Sequence, residues 1–256
     1  MRRIRVIPTL LLDGNGLVKP QKFSKPKYIG DPINAVKIFN EKEVDELILM
    51  DIYATKRSQP PNFSLIKEIA SECFMPMGYG GGIHSVAHVE MLFKCGVEKI
   101  ILNSEAVIKL DIIKELSNRY GTQAIVVSID VKKNLFGKYS IYVENGQKNT
   151  KMDPVDFVKR CEDFGAGEVY LTAIDREGMM EGYDIELTKM VAKAIDIPVI
   201  ASGGAGCVTH MAKVVQEGFA SAVSAGSMFV FHGKLRGVLI NFPTHDILER
   251  ELYNTI

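Results

Sequence analysis

The chain has 256 residues, with 31 Lys plus Arg against 31 Asp plus Glu, 46% hydrophobic residues and 22 Gly. That length and balance suit a globular chain with a self-sufficient core, and they exclude disordered, collagen-like and mini-protein readings. Formal neutrality removes the broad attraction used in non-specific nucleic-acid binding and argues against a general role at membrane surfaces.

Short runs rich in Val, Ile and Leu alternate with longer segments of helical periodicity, so the chain reads as βα units. A strand at 5–10 leads into a long segment, 14–30, containing Lys19, Lys22, Lys25, Lys27, Pro20 and Pro26. It reads as a mobile lid bringing cations to a phosphorylated substrate, with Lys19 the candidate contact, or as a solvated charged loop. A helix at 32–40 opens on Asp31-Pro32, a capping acid followed by proline. Strand 46–51, helix 63–73, strand 75–79, helix 85–95, strand 99–103 and helix 107–120 follow. Strand 124–130 carries an inserted hairpin at 131–151, with turn signals at Phe136-Gly137-Lys138 and Asn145-Gly146. Helix 154–164, opened by Asp153-Pro154, strand 168–172, helix 185–194, strand 198–202, helix 208–217, strand 220–225 and a last helix after Lys234 complete the pattern.

A shift of 122 residues superposes Glu46-Leu-Ile-Leu on Glu168-Val-Tyr-Leu, Gly81-Gly82 on Gly203-Gly204, and Ser104 on Gly226. Four βα units, duplicated, predict a closed α/β fold, a (β/α)8 TIM barrel with a half-barrel repeat, forming one domain over 1–256. In such barrels the loops after the strands carry function. Gly80-Gly81-Gly82 and Ser202-Gly203-Gly204 each end a strand and open a helix, so backbone N–H groups can surround a phosphate. Asn103-Ser104 and Gly226-Ser227 end the neighbouring strands. Two phosphate sites facing each other across the barrel mouth are expected, with Gly178 counted among the substrate-binding residues.

The ionisable residues at strand ends are Asp51, Asp130 and Asp175. Asp130 follows the apolar run 125–129, and a partly desolvated carboxyl there suits a general acid or base. Asp51 reads equally as a substrate contact or a structural cap. Cys73, Cys95, Cys161 and Cys207 form no Cys-x-x-Cys pair, so buried reduced thiols are expected. His84 and His88 share one helix face without a third ligand in a fitting place, and neither metal nor cofactor is expected. No run of about 18 apolar residues occurs, and Met1 to Asp13, with Arg2, Arg3 and Arg5, has too short an apolar stretch for an export signal. A cytoplasmic chain is expected.

Lys19, Gly30-Asp31-Pro32, Asp51-Ile52, Gly80-Gly81-Gly82-Ile83, Asn103-Ser104, Ile129-Asp130, Gly182-Tyr183-Asp184, the run from Ile197 to Gly204 and Ser227 together resemble HisF, the cyclase subunit of imidazole glycerol phosphate synthase, over nearly the whole chain. The resemblance implies a glutaminase partner, HisH-like, docked on the barrel bottom, whose ammonia crosses the barrel. Arg5, Glu46, Lys99 and Glu168 match the family's charged ring at the ammonia entrance. Of the cyclase's two aspartates, Asp130 matches the second, whereas Leu11 stands at the first; Asp13 is two residues on. Tyr53, Gly78 and Met179 replace threonines, and Glu177 replaces an aspartate. The pattern Leu-Leu-Leu-Asp-Gly-Asn-Gly-Leu-Val-Lys looks more like HisF-related paralogues associated with acetamidino modification of bacterial surface sugars, which implies a nucleotide-sugar substrate and a further amidotransferase. The alternatives are an authentic cyclase of histidine biosynthesis and a non-catalytic ammonia conduit that activates its glutaminase.

Overall fold

The computed structural model describes residues 4–255. Arg2 and Arg3, part of the basic N-terminal stretch, lie outside the described residues. Eight parallel strands close on themselves: Arg5–Asp13, Leu47–Asp51, Met77–Gly80, Lys99–Leu102, Ile125–Lys133, Glu168–Ala173, Val199–Ser202 and Ala222–Ala225. The ring closes where the first strand pairs with the eighth, Arg5 opposite Ala222, and the fifth with the sixth, Asp130 opposite Thr172. This is the (β/α)8 barrel that the duplicated pattern implied.

Period-2 alternation sorts the strand residues between two cores. Ile7, Ile48, Ile101, Val126, Tyr170, Ile200 and Ala222 form a cluster inside the barrel, while their neighbours Val6, Leu47, Ile100, Ile125, Val169, Val199 and Val223 join the larger core under the helices. The third strand puts Gly78 into the inner layer. A Cβ there would lie 3.3 Å from Ile101 Cδ1 and 3.5 Å from Ile48 Cγ1, so those two isoleucines occupy the space its missing side chain vacates.

Helix starts follow the capping logic of the sequence. Asp31 accepts from Asn34 N at 2.9 Å with Pro32 in the first turn, and Asp153 accepts from Val155 N and Asp156 N at 2.9 and 3.3 Å. The helix expected at 107–120 is two helices, Ser104–Ile108 and Asp111–Tyr120, because Lys109 takes a non-helical conformation between them. The last helix is His245–Glu251, after a small pair of strands, Phe231–His232 and Gly237–Val238. The inserted hairpin extends the fifth strand to Lys133 and returns as Tyr139–Val143.

Segment 14–30 is a correction to the loop reading. It is an antiparallel hairpin, Gly16–Gln21 against Ser24–Gly30, attached to the first strand through Leu11 opposite Val18. Leu17 and Val18 are buried, whereas the outer strand is an exposed edge rich in lysine, which keeps it from pairing with another chain. Lysines and prolines on that edge hide the strand period. The cysteine expectation is also corrected: only Cys161 is buried, while Cys73, Cys95 and Cys207 are half-buried free thiols. No helix among the described residues is long and apolar enough to cross a membrane.

Candidate functional site

The strand C-terminal ends surround a cavity of about 120 Å3, open at its mouth. Lys19, Asp51, Gly81, Gly82, Asn103, Ser104, Asp130, Ser202 and Gly226 all line it. Gly178, Gly203, Gly204 and Ser227 do not: among the candidate binding residues these four are buried beneath the rim.

The two glycine turns share one geometry. Gly81 and Gly82 take φ +118 and +67, Gly203 and Gly204 +90 and +108, a region that disfavours any side chain. A Cβ on Gly81 would strike the carbonyl of Asp51, and one on Gly203 the carbonyl of Ala173, the residue at the equivalent place in the second half. The turns are therefore copies, yet only the first opens into the cavity. The second packs under the segment after the sixth strand, where Gly182 N–H donates to the Gly204 carbonyl at 2.7 Å and a Cβ on Gly204 would strike the Gly182 carbonyl; the hairpin over 16–30 lies beside it. Lys19 forms a buried ion pair with Glu177, and Lys22 N–H donates to the Glu177 carbonyl at 2.8 Å. The Lys19 ammonium lies so close to Gly226 that a Cβ there would be 2.6 Å away. Arg236 donates to the carbonyl of Gly178. Nearby the Ser227 hydroxyl, 4% exposed, has no hydrogen-bond partner among the described residues.

Asp130 sits on the cavity wall with Oδ2 accepting from Asn103 Nδ2 at 3.1 Å. Burial pushes its carboxyl up to about 7, Glu177 adding to the rise while hydrogen bonds from Asn103 and Thr172 oppose it. A group titrating there can both take and return a proton near neutral pH. Leu11, 8% exposed, lines the same cavity and offers no such chemistry. Asp13 does not stand in for it, since it lies outside the cavity lining and pairs with Arg57 at 2.7 Å.

Asp51 is also raised by burial, but its Oδ1 accepts from Tyr53 N at 3.0 Å and Ala54 N at 2.9 Å, so it caps a turn as well as facing the cavity. Asp175 accepts from Lys133 N at 3.1 Å and braces the inserted hairpin. His84 and His88 serve each other and the rim: His84 N donates to His88 Nδ1 at 3.4 Å, and His84 Nδ1 lies 3.3 Å from Glu105 Oε2. Among the described residues no three His, Cys, Asp or Glu side chains gather as a metal site.

Below the cavity, Tyr170 OH meets the hydroxyls of Thr9, Ser202 and Ser224, each at 2.9 Å. Burial pushes the phenol up to about 12, so this cluster stays protonated and uncharged. At the barrel floor Arg5 pairs with Glu46 and Glu168, and Lys99 lies 3.0 Å from Glu46 and 2.7 Å from Glu168, closing a ring of alternating charge. Burial pulls the Arg5 guanidinium down, but Glu168 and Glu46 more than offset it. Glu46 Oε1 is buried with no donor among the described residues.

The sequence reading left Tyr170 and Glu105 out of the site, and it named Lys19 and Glu177 without pairing them. Tyr170 carries a period signal, since it stands two residues after Glu168 on an inward-facing register; the partner of Glu177 carries none, because it depends on how the turn after the sixth strand folds.

The chain matches the family described as histidine biosynthesis protein over residues 5–236. Among curated relatives it is 49% identical to the "Putative imidazole glycerol phosphate synthase subunit hisF2" of Pseudomonas aeruginosa, covering 95% of this chain and 97% of that one. It is 44% identical to the "Putative imidazole glycerol phosphate synthase subunit HisF" of Leptospira interrogans, covering 99% and 100%. It is 37% identical to the "Imidazole glycerol phosphate synthase subunit HisF" of Alkaliphilus metalliredigens, covering 89% and 90%.

Proposed function

Because the chain belongs to the histidine biosynthesis protein family and is HisF-like over most of its length, we propose that it is the synthase-type subunit of a two-subunit glutamine amidotransferase. Ammonia released by a glutaminase docked on the barrel floor is used on a phosphorylated sugar-type substrate, in acetamidino modification of a nucleotide sugar for a surface polysaccharide. A further amidotransferase takes part in that modification.

The observation that carries this reading is a conflict within one barrel. The floor ring of Arg5, Glu46, Lys99 and Glu168 and the proton-transfer candidate Asp130 are retained, while Leu11 occupies the place of the first of the two carboxylates. Removing one of two acid–base groups costs about 100- to 10,000-fold in the step it serves, so efficient imidazole closure is not expected and the retained parts serve another acceptor. The free Glu46 Oε1 suits a small N–H donor at the floor.

Within this reading Asp130 moves the proton, Asn103 orients it, the glycine turns and Ser104 and Ser227 hold the substrate, and the floor ring admits ammonia. The test combines the chain with its glutaminase, glutamine and the nucleotide sugar. An amidino product made by the wild type and lost in Asp130→Asn, with glutamine hydrolysis retained, is the expected result. Rescue of a histidine auxotroph lacking the cyclase would overturn it in favour of the histidine enzyme, and full activity in Asp130→Asn would leave a conduit.

A further inference from the structure

Neutrality of the whole chain hides an uneven distribution of charge. Segments 14–30, 131–143 and 231–242, the excursions that follow the first, fifth and eighth barrel strands, contain nine of the 31 Lys and Arg residues and none of the 31 Asp and Glu. Two of the nine are engaged in ion pairs, Lys19 with Glu177 and Lys133 with Glu186. Lys22, Lys25, Lys27, Lys132, Lys138 and Lys234 are exposed and pair with no carboxylate among the described residues. Two of the excursions also carry apolar side chains into open solvent. Leu135 and Phe136 are 102% and 96% exposed, between Lys132 and Lys138, and Leu235 is 96% exposed, between Lys234 and Arg236. All three excursions stand at the end of the barrel where the cavity opens, and they touch one another. Lys27 Nζ donates to the Arg236 carbonyl at 3.0 Å, and a Cβ on Gly146 of the inserted hairpin would lie 2.9 Å from Phe23 Cδ2.

Edge protection explains lysines along an outer strand, but it gives no reason for apolar side chains at the tips of basic hairpins. One exposed leucine needs no explanation; three apolar side chains set among lysines at one end of the molecule do. A protein partner would bury a contiguous patch in which Arg is enriched and Lys depleted. Here the two apolar tips follow strands that are not neighbours in the ring, and the unpaired cations are lysines. An anionic lipid surface suits the opposite pattern. Long lysine side chains reach headgroup phosphates while neighbouring apolar tips enter the acyl boundary, and the two attractions add.

We propose that the mouth end of the barrel docks on an anionic lipid bilayer, with Leu135, Phe136 and Leu235 inserted and the six exposed lysines on the headgroups. The charged floor lies at the opposite end and stays accessible to a glutaminase. Attraction between exposed charges is screened by salt, so the contact is reversible and the mouth is not permanently covered. The inference does not depend on the sugar-substrate reading.

The full chain is sedimented with vesicles of phosphatidylcholine alone and of phosphatidylcholine mixed with phosphatidylglycerol. Binding to the mixed vesicles only is expected, with release at about 1 M salt, where screening acts over roughly 3 Å. Leu135→Ser combined with Phe136→Ser is expected to weaken binding about tenfold, and Lys132→Gln combined with Lys138→Gln roughly 30-fold. Lys114→Gln combined with Lys159→Gln, on exposed helix faces, is expected to leave it unchanged. Every one of these side chains is exposed, so the urea midpoint of each variant should equal that of the wild type, which separates lost docking from lost fold. No binding to the mixed vesicles, unchanged binding in both tip variants, or an equal loss in the helix variant overturns the inference. Vesicles left unbound while the tip variants impair amidino product formation with the further amidotransferase would assign the tips to a protein partner, and that too overturns it.

Discussion

Asp130 and Leu11 share one cavity and divide its chemistry, since only the first can carry a proton. The Asp130 carboxyl titrates at about 7 in the folded chain, above the roughly 3.9 of an unfolded aspartate. The native state therefore keeps a proton that the unfolded state has released. Its contribution to stability is fully present below pH about 4 and is lost as pH rises through about 7. Asp130→Asn is expected to match the wild type in urea unfolding at pH 4 and to exceed it by up to about 4 kcal/mol at pH 8. No pH-dependent difference between the two would mean that the carboxyl is not raised. Leu11→Asp returns a second carboxylate to the cavity. Imidazole ring closure is expected to rise roughly 100-fold over the wild-type level, at a cost of about 2 kcal/mol for burying the new group. An assay with the histidine-pathway intermediate and ammonium measures the first effect, chemical denaturation the second.

The hairpin over 16–30 changes what its neighbouring elements can do. It places Lys19 against Glu177 and Gly226, beside the second glycine turn, which the segment after the sixth strand covers, while the first turn stays open to the cavity. Breaking a buried pair strands the remaining charge, which costs about 3–5 kcal/mol, whereas removing both partners costs much less. Lys19→Met and Glu177→Gln are each expected to destabilise the chain by that order, and the double variant to recover most of the loss in a double-mutant cycle. Additive losses would show that the pair does not act as one unit. The hairpin was not legible in the sequence because Lys22, Lys25, Lys27, Pro20 and Pro26 mask the alternation that Leu17 and Val18 begin. The barrel strands were legible because their buried faces are nearly continuous Val, Ile and Leu.

Over the whole molecule, the barrel axis joins a charged floor, an uncharged hydroxyl cluster around Tyr170 and a cavity holding Asp130. If that axis conducts ammonia, damage to the floor should separate the two half-reactions. Lys99→Ala and Glu46→Gln are expected to lower amidino product per glutamate released in the complex, with added ammonium salt restoring product. Equal loss of both half-reactions would place these residues in partner docking or in folding. The internal repeat explains why the floor and the rim each carry paired features: Glu46 and Glu168 meet in one ring, and the Gly81 and Gly203 turns repeat one geometry.

Local order of residues was enough to determine the eight strands, the helix caps at Asp31 and Asp153, the half-barrel repeat and the identity of Asp130 as the carboxyl to watch. The strands, caps and Asp130 depend on spacing, capping or turn chemistry acting over a few residues, and the repeat on comparing the chain with itself shifted by 122 residues. Which glycine turn is open, what Lys19 pairs with and why Asp130 titrates near neutrality were decided by tertiary structure alone. Lys19 and Glu177 are 158 residues apart in the chain, and desolvation is a property of the volume enclosed when the ring closes, which no local pattern of residues records.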